Sequence, residues 1–383
     1  MIWAAFFIAL VYVWSIVLLY IGYDRVPYFP SVGNTAATKF SVLIPFRNEA
    51  QNLPRLLRTL QQLHYPKSHF EIIFINDGST DISEELILQH LKESNLIFQI
   101  LQNTPHQPSP KKAAITLAIS TAKHPWIVTT DADCSVLENW LQILNDFILS
   151  NAPVCVAMPV AYEVNNSFLQ RYQQLDNWSL QAVTVGSFGL GNLLLSNGAN
   201  FAYSKEAFTS VNGFEDNAHI ASGDDMFLLE KYKQHFPKKI GYLKSSDAVV
   251  TTQVVDSWKK IISQRVRWAS KTSQQKSIVS KLLGILVFAM NLLILLALIT
   301  LLFWPQYVLF SIALICFKLT IDFILLRKSA RFFKKSFPFF SFLGSTFIYP
   351  IVTVVVVISS IQGTYVWKER LFKTQEKQHL KNK

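Results

Sequence analysis

Acidic side chains follow three apolar, β-branched runs in the first third of the chain, and acids at such points can hold cations or take protons. Pro45-Phe46-Arg47-Asn48-Glu49 follows the run Phe40 to Ile44, Asn76-Asp77-Gly78-Ser79-Thr80-Asp81 follows Phe70 to Ile75, and Asp131-Ala132-Asp133 follows Trp126 to Thr130. Any one alone reads as a polar loop capping the next helix; three together point to a site. In an extended segment residues i and i+2 project to one side, so Asp131 and Asp133 would face the same way and repel unless a cation lies between them. Hard carboxylate oxygens suit Mg²⁺ or Mn²⁺, and Mg²⁺ typically adds substrate phosphate oxygens to one or two carboxylates. The chemistry expected is a metal-bound diphosphate.

Two later clusters add to this. Gly223-Asp224-Asp225 supplies adjacent carboxylates, either of which could serve as a base. Gln264, Arg267 and Trp268 share one helical face through i, i+3, i+4 spacing; alone they would equally suit a basic juxtamembrane helix with an interfacial Trp. The chain lacks a G-x-x-x-x-G-K-[ST] loop, a G-x-G-x-x-G after its first strand and an H-E-x-x-H, which removes support from P-loop ATPases, Rossmann dehydrogenases and zincins.

Positioning these residues requires a sheet. Strands are expected at Phe40 to Ile44, Phe70 to Ile75, Phe98 to Leu101, Trp126 to Thr130 and Val154 to Met158. Helices are expected from Leu53 to Leu63, with Asn52 as cap and Pro54 in the first turn, and over Ser83 to Glu93, Lys112 to Ala122 and Glu138 to Leu149. The alternation predicts βαβ units, a mostly parallel sheet and ligands beyond the carboxyl ends of its strands.

The rest of the chain reads as membrane. Of 383 residues 50% are hydrophobic and only 16% charged, against about 25% in soluble domains. The 29 Phe and 9 Trp exclude long disorder. The net charge of +11 fits cytoplasmic anchoring as well as an anionic ligand, and the three cysteines suggest neither a disulfide nor a zinc framework, consistent with a reducing cytosol. Ile2 to Ile21 predicts an uncleaved anchor, and Leu282 to Phe317, broken at Trp304-Pro305-Gln306, two helices in a hairpin whose second member ends at Arg327-Lys328. Within it Lys318 and Asp322 can pair at i, i+4, with Lys318 expected to snorkel toward the interface. Ser336 to Trp367 is too long for one simple crossing and holds Pro350, so a re-entrant pair, or an interfacial helix plus a span, is expected. The expected organisation is an anchor at 1–23, a cytosolic domain at 39–281, a membrane region at 282–367 and a basic tail at 368–383, with the domain placed on the cytoplasmic side by the positive-inside rule; the membrane expected is a bacterial inner membrane.

Taken in order, Pro45 to Glu49, Asn76 to Ser79, Asp131-Ala132-Asp133, Gly223-Asp224-Asp225 and Gln264-x-x-Arg267-Trp268 resemble the motifs of membrane-bound family 2 glycosyltransferases, the group of cellulose, chitin, hyaluronan and poly-N-acetylglucosamine synthases and ceramide glucosyltransferases. The resemblance covers about 39–281. It implies an α/β, GT-A type (Rossmann-like) catalytic domain between transmembrane helices, a nucleotide-sugar donor, usually a uridine diphosphate sugar, inversion at the anomeric carbon, and Mg²⁺ or Mn²⁺. It assigns Asp77 to the uracil ring and Pro45 and Glu49 to the motif near the nucleoside, Asp131 and Asp133 to metal and diphosphate, and Lys111 or Lys112 to the basic position before that strand. It places Asp225 where the catalytic base lies, with Asp224, a substrate-binding candidate, as the competitor for that role, and assigns Gln264, Arg267 and Trp268 to the element beside diphosphate and acceptor. Expected partners are the donor, a lipid or glycan acceptor hydroxyl and membrane lipid, without nucleic acid. Few membrane segments argue against threading a long polymer. The competing reading is a membrane protein that binds nucleotide sugar on the same fold without transferring it.

Overall fold

The computed structural model describes residues 2–104, 108–220, 222–272, 274–361, 364–367 and 370–373. Of the expected basic tail, only Arg370 and Lys373 fall within this range; Lys368, Lys377, Lys381 and Lys383 lie outside the described residues. The chain forms two compact units, one of Ile21–Val164 with Leu180–Val254, the other of 2–20, Asn165–Ser179 and the residues from Val255 onward.

In the first unit the chain alternates β1 (Phe40–Phe46), α2 (Leu53–Gln61), β2 (Phe70–Asn76), α3 (Ser83–Leu91), β3 (Phe98–Gln102), α4 (Pro110–Thr121) and β4 (Trp126–Thr129), after α1 (Ile2–Arg25). It continues through β5 (Cys134–Ser135), α5 (Trp140–Asn151), β6 (Cys155–Ala157), β7 (Val160–Glu163), α6 (Phe168–Gly189), β8 (Phe201–Ser204), α7 (Lys205–Ser210), α8 (Asp224–His235), β9 (Ile240–Tyr242) and β10 (Val250–Gln253). Seven strands form one sheet in the order β3-β2-β1-β4-β8-β6-β9, and β5-β10-β7 form a small second sheet. Neighbours in the large sheet run parallel except for β8, which is antiparallel to β4 and β6. The mostly parallel expectation holds, but β7 to β10 were not foreseen: strands of three or four residues carry too short a pattern to separate from loop.

Period-two alternation puts Phe40, Val42, Ile44 and Phe46 of β1 on one face, where they join a core with Leu53, Leu56, Leu57 and Leu60 of α2 and Trp140, Leu141 and Leu144 of α5. The four α2 leucines are fully buried, each stabilising the unit by about 2 kcal/mol. Strand β1 runs past its expected end through Pro45, which is tolerated because pairing with β4 stops at Leu43↔Thr129, leaving β1 a partner only on the β2 side. Asn52 occupies the position before α2, but its side chain makes no cap bond; its amide instead donates to Glu49 Oε2 at 2.6 Å. The irregular run between α1 and β1 is held by α5: the buried Asp146 carboxylate accepts the backbone N–H groups of Val32, Gly33 and Asn34.

In the second unit follow α9 (Trp258–Thr272), α10 (Ile278–Phe303), α11 (Val308–Phe332), α12 (Phe339–Ile361) and the strand pair β11 (Thr364–Trp367) and β12 (Arg370–Lys373). α1, α10, α11 (from Pro305) and α12 are long and apolar enough to cross a membrane. α12, for which a re-entrant pair or an interfacial helix plus a span was expected, is one helix through Pro350; a single proline within an otherwise strongly apolar helix did not break it. Lys318 pairs with Asp322 at i, i+4 as expected: it is buried, its Nζ lies 2.5 Å from Asp322 Oδ2, and Asp322 Oδ1 accepts the Tyr12 hydroxyl of α1 at 2.7 Å.

Candidate functional site

Because β1, β2 and β4 are parallel neighbours, their carboxyl ends lie at one edge of the sheet, and Arg47, Asp77 and Asp131 follow them there. Arg47 Nη1 donates to the Asp77 carbonyl at 3.0 Å. Asn103, just after β3, donates from Nδ2 to Asp77 Oδ1 at 2.7 Å and to the Pro110 carbonyl at 3.1 Å, tying the Asp77 carboxylate to the start of α4. Sequence reading missed Asn103; a polar residue directly after a strand of this sheet was the only signal. Glu49 is buried, with its backbone N–H on Ser83 Oγ at 2.9 Å and its carboxylate on Asn52.

Lys111, in the first turn of α4, joins two of the acidic clusters. Its Nζ lies 2.7 Å from Asp131 Oδ1 and 3.6 Å from Asp224 Oδ2. A lysine at a helix N-terminus has the wrong sign for the macrodipole, so these carboxylates, not the helix, favour it there. Burial acts to lower the Lys111 pKa, but Asp131, then Asp224, with a smaller contribution from Asp225, outweigh it and hold the ammonium above the ordinary lysine range. Lys112 is directed elsewhere: it is buried, donates to Asn217 O at 2.7 Å and Oδ1 at 2.8 Å, and lies 4.7 Å from the Phe227 ring centre. Of the two lysines left open by the sequence, Lys111 is the one at the carboxylates.

Asp224 and Asp225 form the first turn of α8, where the positive end of the helix favours ionised acids. The turn into α8 needs Gly223, whose φ of 83° lies in the left-handed region. Asp225 Oδ2 accepts the Gly198 N–H at 2.9 Å and Oδ1 its neighbour's N–H, from Met226, at 2.8 Å. A Cβ on Gly198 would lie 2.8 Å from Asp224 Oδ2 and 3.2 Å from Lys111 Nζ. Gly198 thus touches all three side chains, and only its missing side chain lets them converge.

The segment around the paired aspartates is a turn rather than an extended strand: Cys134 N–H donates to the Asp131 carbonyl at 3.1 Å, and Cys134 begins β5. The same-side argument from extended geometry therefore does not apply, although both aspartates stay near Cys134, whose thiol pKa is raised by burial first and then by Asp133 and Asp131. The donor set fits a hard divalent cation in chemistry, and the Lys111 ammonium already occupies a cation's place against Asp131. Three buried hydroxyl oxygens close by in sequence, of Thr130, Ser196 and Ser222, have no hydrogen-bond partner among the described residues, as befits groups that meet a polar ligand. Among the described residues no three His, Cys, Asp or Glu side chains are arranged to hold a metal together.

Gln264, Arg267 and Trp268 lie on α9, the helix expected for them, in the other unit. There the neighbouring Arg265, to which sequence reading gave no role, carries the visible network. Its Nε donates to Asp176 Oδ2 at 2.5 Å, its Nη1 donates to Gln264 Oε1 at 2.8 Å, and its guanidinium lies 4.1 Å from the Trp268 ring centre.

Comparison with known proteins points the same way. Residues 41–211 match the model of glycosyl transferase family 2, and residues 193–369 match that of chitin synthase. The probable glycosyltransferase YdaM of Bacillus subtilis (strain 168) is 25% identical over 239 residues, which cover 60% of this chain and 54% of the relative. Dolichyl-phosphate beta-glucosyltransferase ALG5A of Trichomonas vaginalis is 31% identical over 137 residues, covering 34% of this chain and 41% of the relative. The chain thus spans about half the length of the curated relatives it matches. The mannosyltransferase PcManGT from Pyrobaculum calidifontis, solved with GDP-Man and Mn²⁺, superposes with a TM-score of 0.56 at 14% identity, covering 94% of this chain and 96% of that one, and shares its GT-A fold. Residues 41–211 of the chain are thus similar to glycosyl transferase family 2.

Proposed function

We propose that this protein is an inverting glycosyltransferase that moves a hexosyl or N-acetylhexosaminyl group from a nucleotide sugar, of the uridine diphosphate type, to a hydroxyl of a lipid or glycan acceptor at the cytosolic face of a bacterial inner membrane. The observation that carries the reading is the convergence of Lys111, Asp131, Asp224 and Asp225 around Gly198, beyond the carboxyl ends of parallel strands. The polyprenyl-phosphate acceptor in the name of one relative, and four helices able to cross a membrane, support a lipid acceptor.

In this reading Asp77, placed by Asn103 and Arg47, binds the nucleoside, with Pro45 and Glu49 in the same nucleoside motif. Asp131 and Asp133 hold Mg²⁺ or Mn²⁺, which when bound neutralises charge on the diphosphate. Asp225 accepts the proton of the acceptor hydroxyl; the oxygen forms its bond to the anomeric carbon on the face opposite the departing diphosphate, whose carbon–oxygen bond breaks with the electron pair staying on phosphate. The Gly198 N–H holds the Asp225 carboxylate in one orientation, and Asp224 stays engaged with Lys111. Gln264, Arg267 and Trp268 enter on their sequence pattern alone. The test is a donor panel with purified protein and Mg²⁺ or Mn²⁺, scoring nucleoside diphosphate release with and without polyprenyl-phosphate or glycan acceptors. Donor binding with neither hydrolysis nor transfer across the panel would favour the non-catalytic reading instead.

A further inference from the structure

The Lys111 ammonium is the positive charge at the centre of three carboxylates: 2.7 Å from Asp131 Oδ1, 3.6 Å from Asp224 Oδ2, and within the field of Asp225. Asp131 cannot offer the same oxygen at full strength to an ammonium and to a divalent ion, because two cations that close repel. Simple loss of Lys111 from this position would in turn leave buried negative charge uncompensated, since Asp224 is only 10% exposed. One cation must therefore replace the other. A lysine suits such an exchange: it is a compact point charge on a flexible four-carbon stem that can be redirected without moving its helix.

We infer that Lys111 is the counter-ion of these carboxylates, that a divalent metal would have to displace it from Asp131, and that the donor's diphosphate would receive the displaced ammonium, so that metal and nucleotide bind cooperatively. This rests on the metal reading proposed above and deepens it. Linkage then requires reciprocity: nucleoside diphosphate raises metal affinity by the same factor as metal raises that of the nucleotide.

The experiment titrates Mn²⁺ into the full chain in detergent micelles and follows free Mn²⁺ by electron paramagnetic resonance, alone and with saturating UDP or GDP, for wild type, Lys111→Met and Lys111→Arg. Wild type should bind Mn²⁺ weakly alone and about 5- to 150-fold more tightly with the accepted nucleotide. Lys111→Met should bind Mn²⁺ alone about tenfold more tightly than wild type, with a smaller further gain from nucleotide, while Lys111→Arg keeps the charge and behaves like wild type. Equal or weaker Mn²⁺ binding by Lys111→Met, with nucleotide-dependent Mn²⁺ binding intact in wild type, overturns the exchange and leaves the metal reading standing. Failure of Mn²⁺ to bind wild type with either nucleotide removes the metal reading and the exchange with it. Should Lys111→Met not fold, Lys111→Gln replaces it in the same titration and is read the same way, and wild-type Mn²⁺ affinity unchanged by nucleotide contradicts the inference in either case.

Discussion

Arg265 lies flat enough over Trp268 to bring its guanidinium carbon 4.1 Å from the ring centre while its nitrogens grip Asp176, a carboxylate only 6% exposed. The pair joins α6 to α9 inside one compact unit, with Tyr172, Ile261 and Val266 packed nearby. A buried pair of this kind is costly to break from one side, because the remaining charge has no water to turn to. Arg265→Met alone should therefore lower stability by about 3 kcal/mol, and Asp176→Leu added to it should recover most of the loss. Thermal melts of the two variants in one detergent check this; a loss under about 1 kcal/mol in the single variant would show the pair to be solvated.

Asp225→Asn keeps the size of the side chain and its bond from Gly198 but removes the proton acceptor. Transfer should fall by about 1,000-fold while nucleotide-sugar affinity stays within a factor of two or three. Turnover near wild type in this variant would take the base role from Asp225, and the same assay on Asp224→Asn would show whether its neighbour holds it.

Gly198→Ala places a methyl group against the flexible ends of Asp224 and Lys111, not against backbone. The fold should survive, with little change in melting temperature, while the shifted carboxylates reduce transfer by about 100-fold. A variant that transfers normally would mean that the convergence at Gly198 is packing alone.

Asp146 tests how the sheet unit responds to acid. Burial acts to raise its pKa, but the N–H groups of Gly33 and Val32, with Gln142 and Asn145, outweigh burial and lower it. A carboxylate whose folded pKa is lowered stabilises the fold fully above its unfolded pKa of about 3.9, and that stability is lost as pH falls through the folded value. Asp146→Asn should cost about 2 kcal/mol at neutral pH and flatten the fall in stability below about pH 4. Parallel acid melts for the variant and wild type would sink this assignment.

Chelation gives the broadest check on the donor site. Removing divalent metal should abolish transfer, and Mg²⁺ or Mn²⁺ should restore it, with Asp133→Ala raising the metal concentration needed. Activity that survives complete chelation would withdraw the metal from Asp131 and Asp133.

How far the chain could be read depended on the length of its patterns. The apolar runs of β1 and β2 and the leucine stripe of α2 were legible because burial on both faces, or along one stripe, writes itself into consecutive residues. The 22-residue α6 was not legible, because it buries Gln173, Gln174, Asp176 and Asn177, which read as solvent-facing until partners elsewhere in the chain are known. Asn52 failed as a cap for a related reason: a nearby carboxylate competed for its amide.

Residue order by itself determined the chemistry at hand: which acids follow which strands, and which segments are too apolar for water, because both depend on side-chain type and local period. Only the tertiary structure decided that Lys111 and not Lys112 reaches Asp131, that Asp224 takes the ion pair while Asp225 takes the Gly198 N–H, and that Lys318 is buried against Asp322. Adjacent residues on a helix point about 100° apart, so one step in sequence sends a charge into a different neighbourhood, and what waits there is set by segments far away in sequence, 105 residues for Lys112 and Asn217.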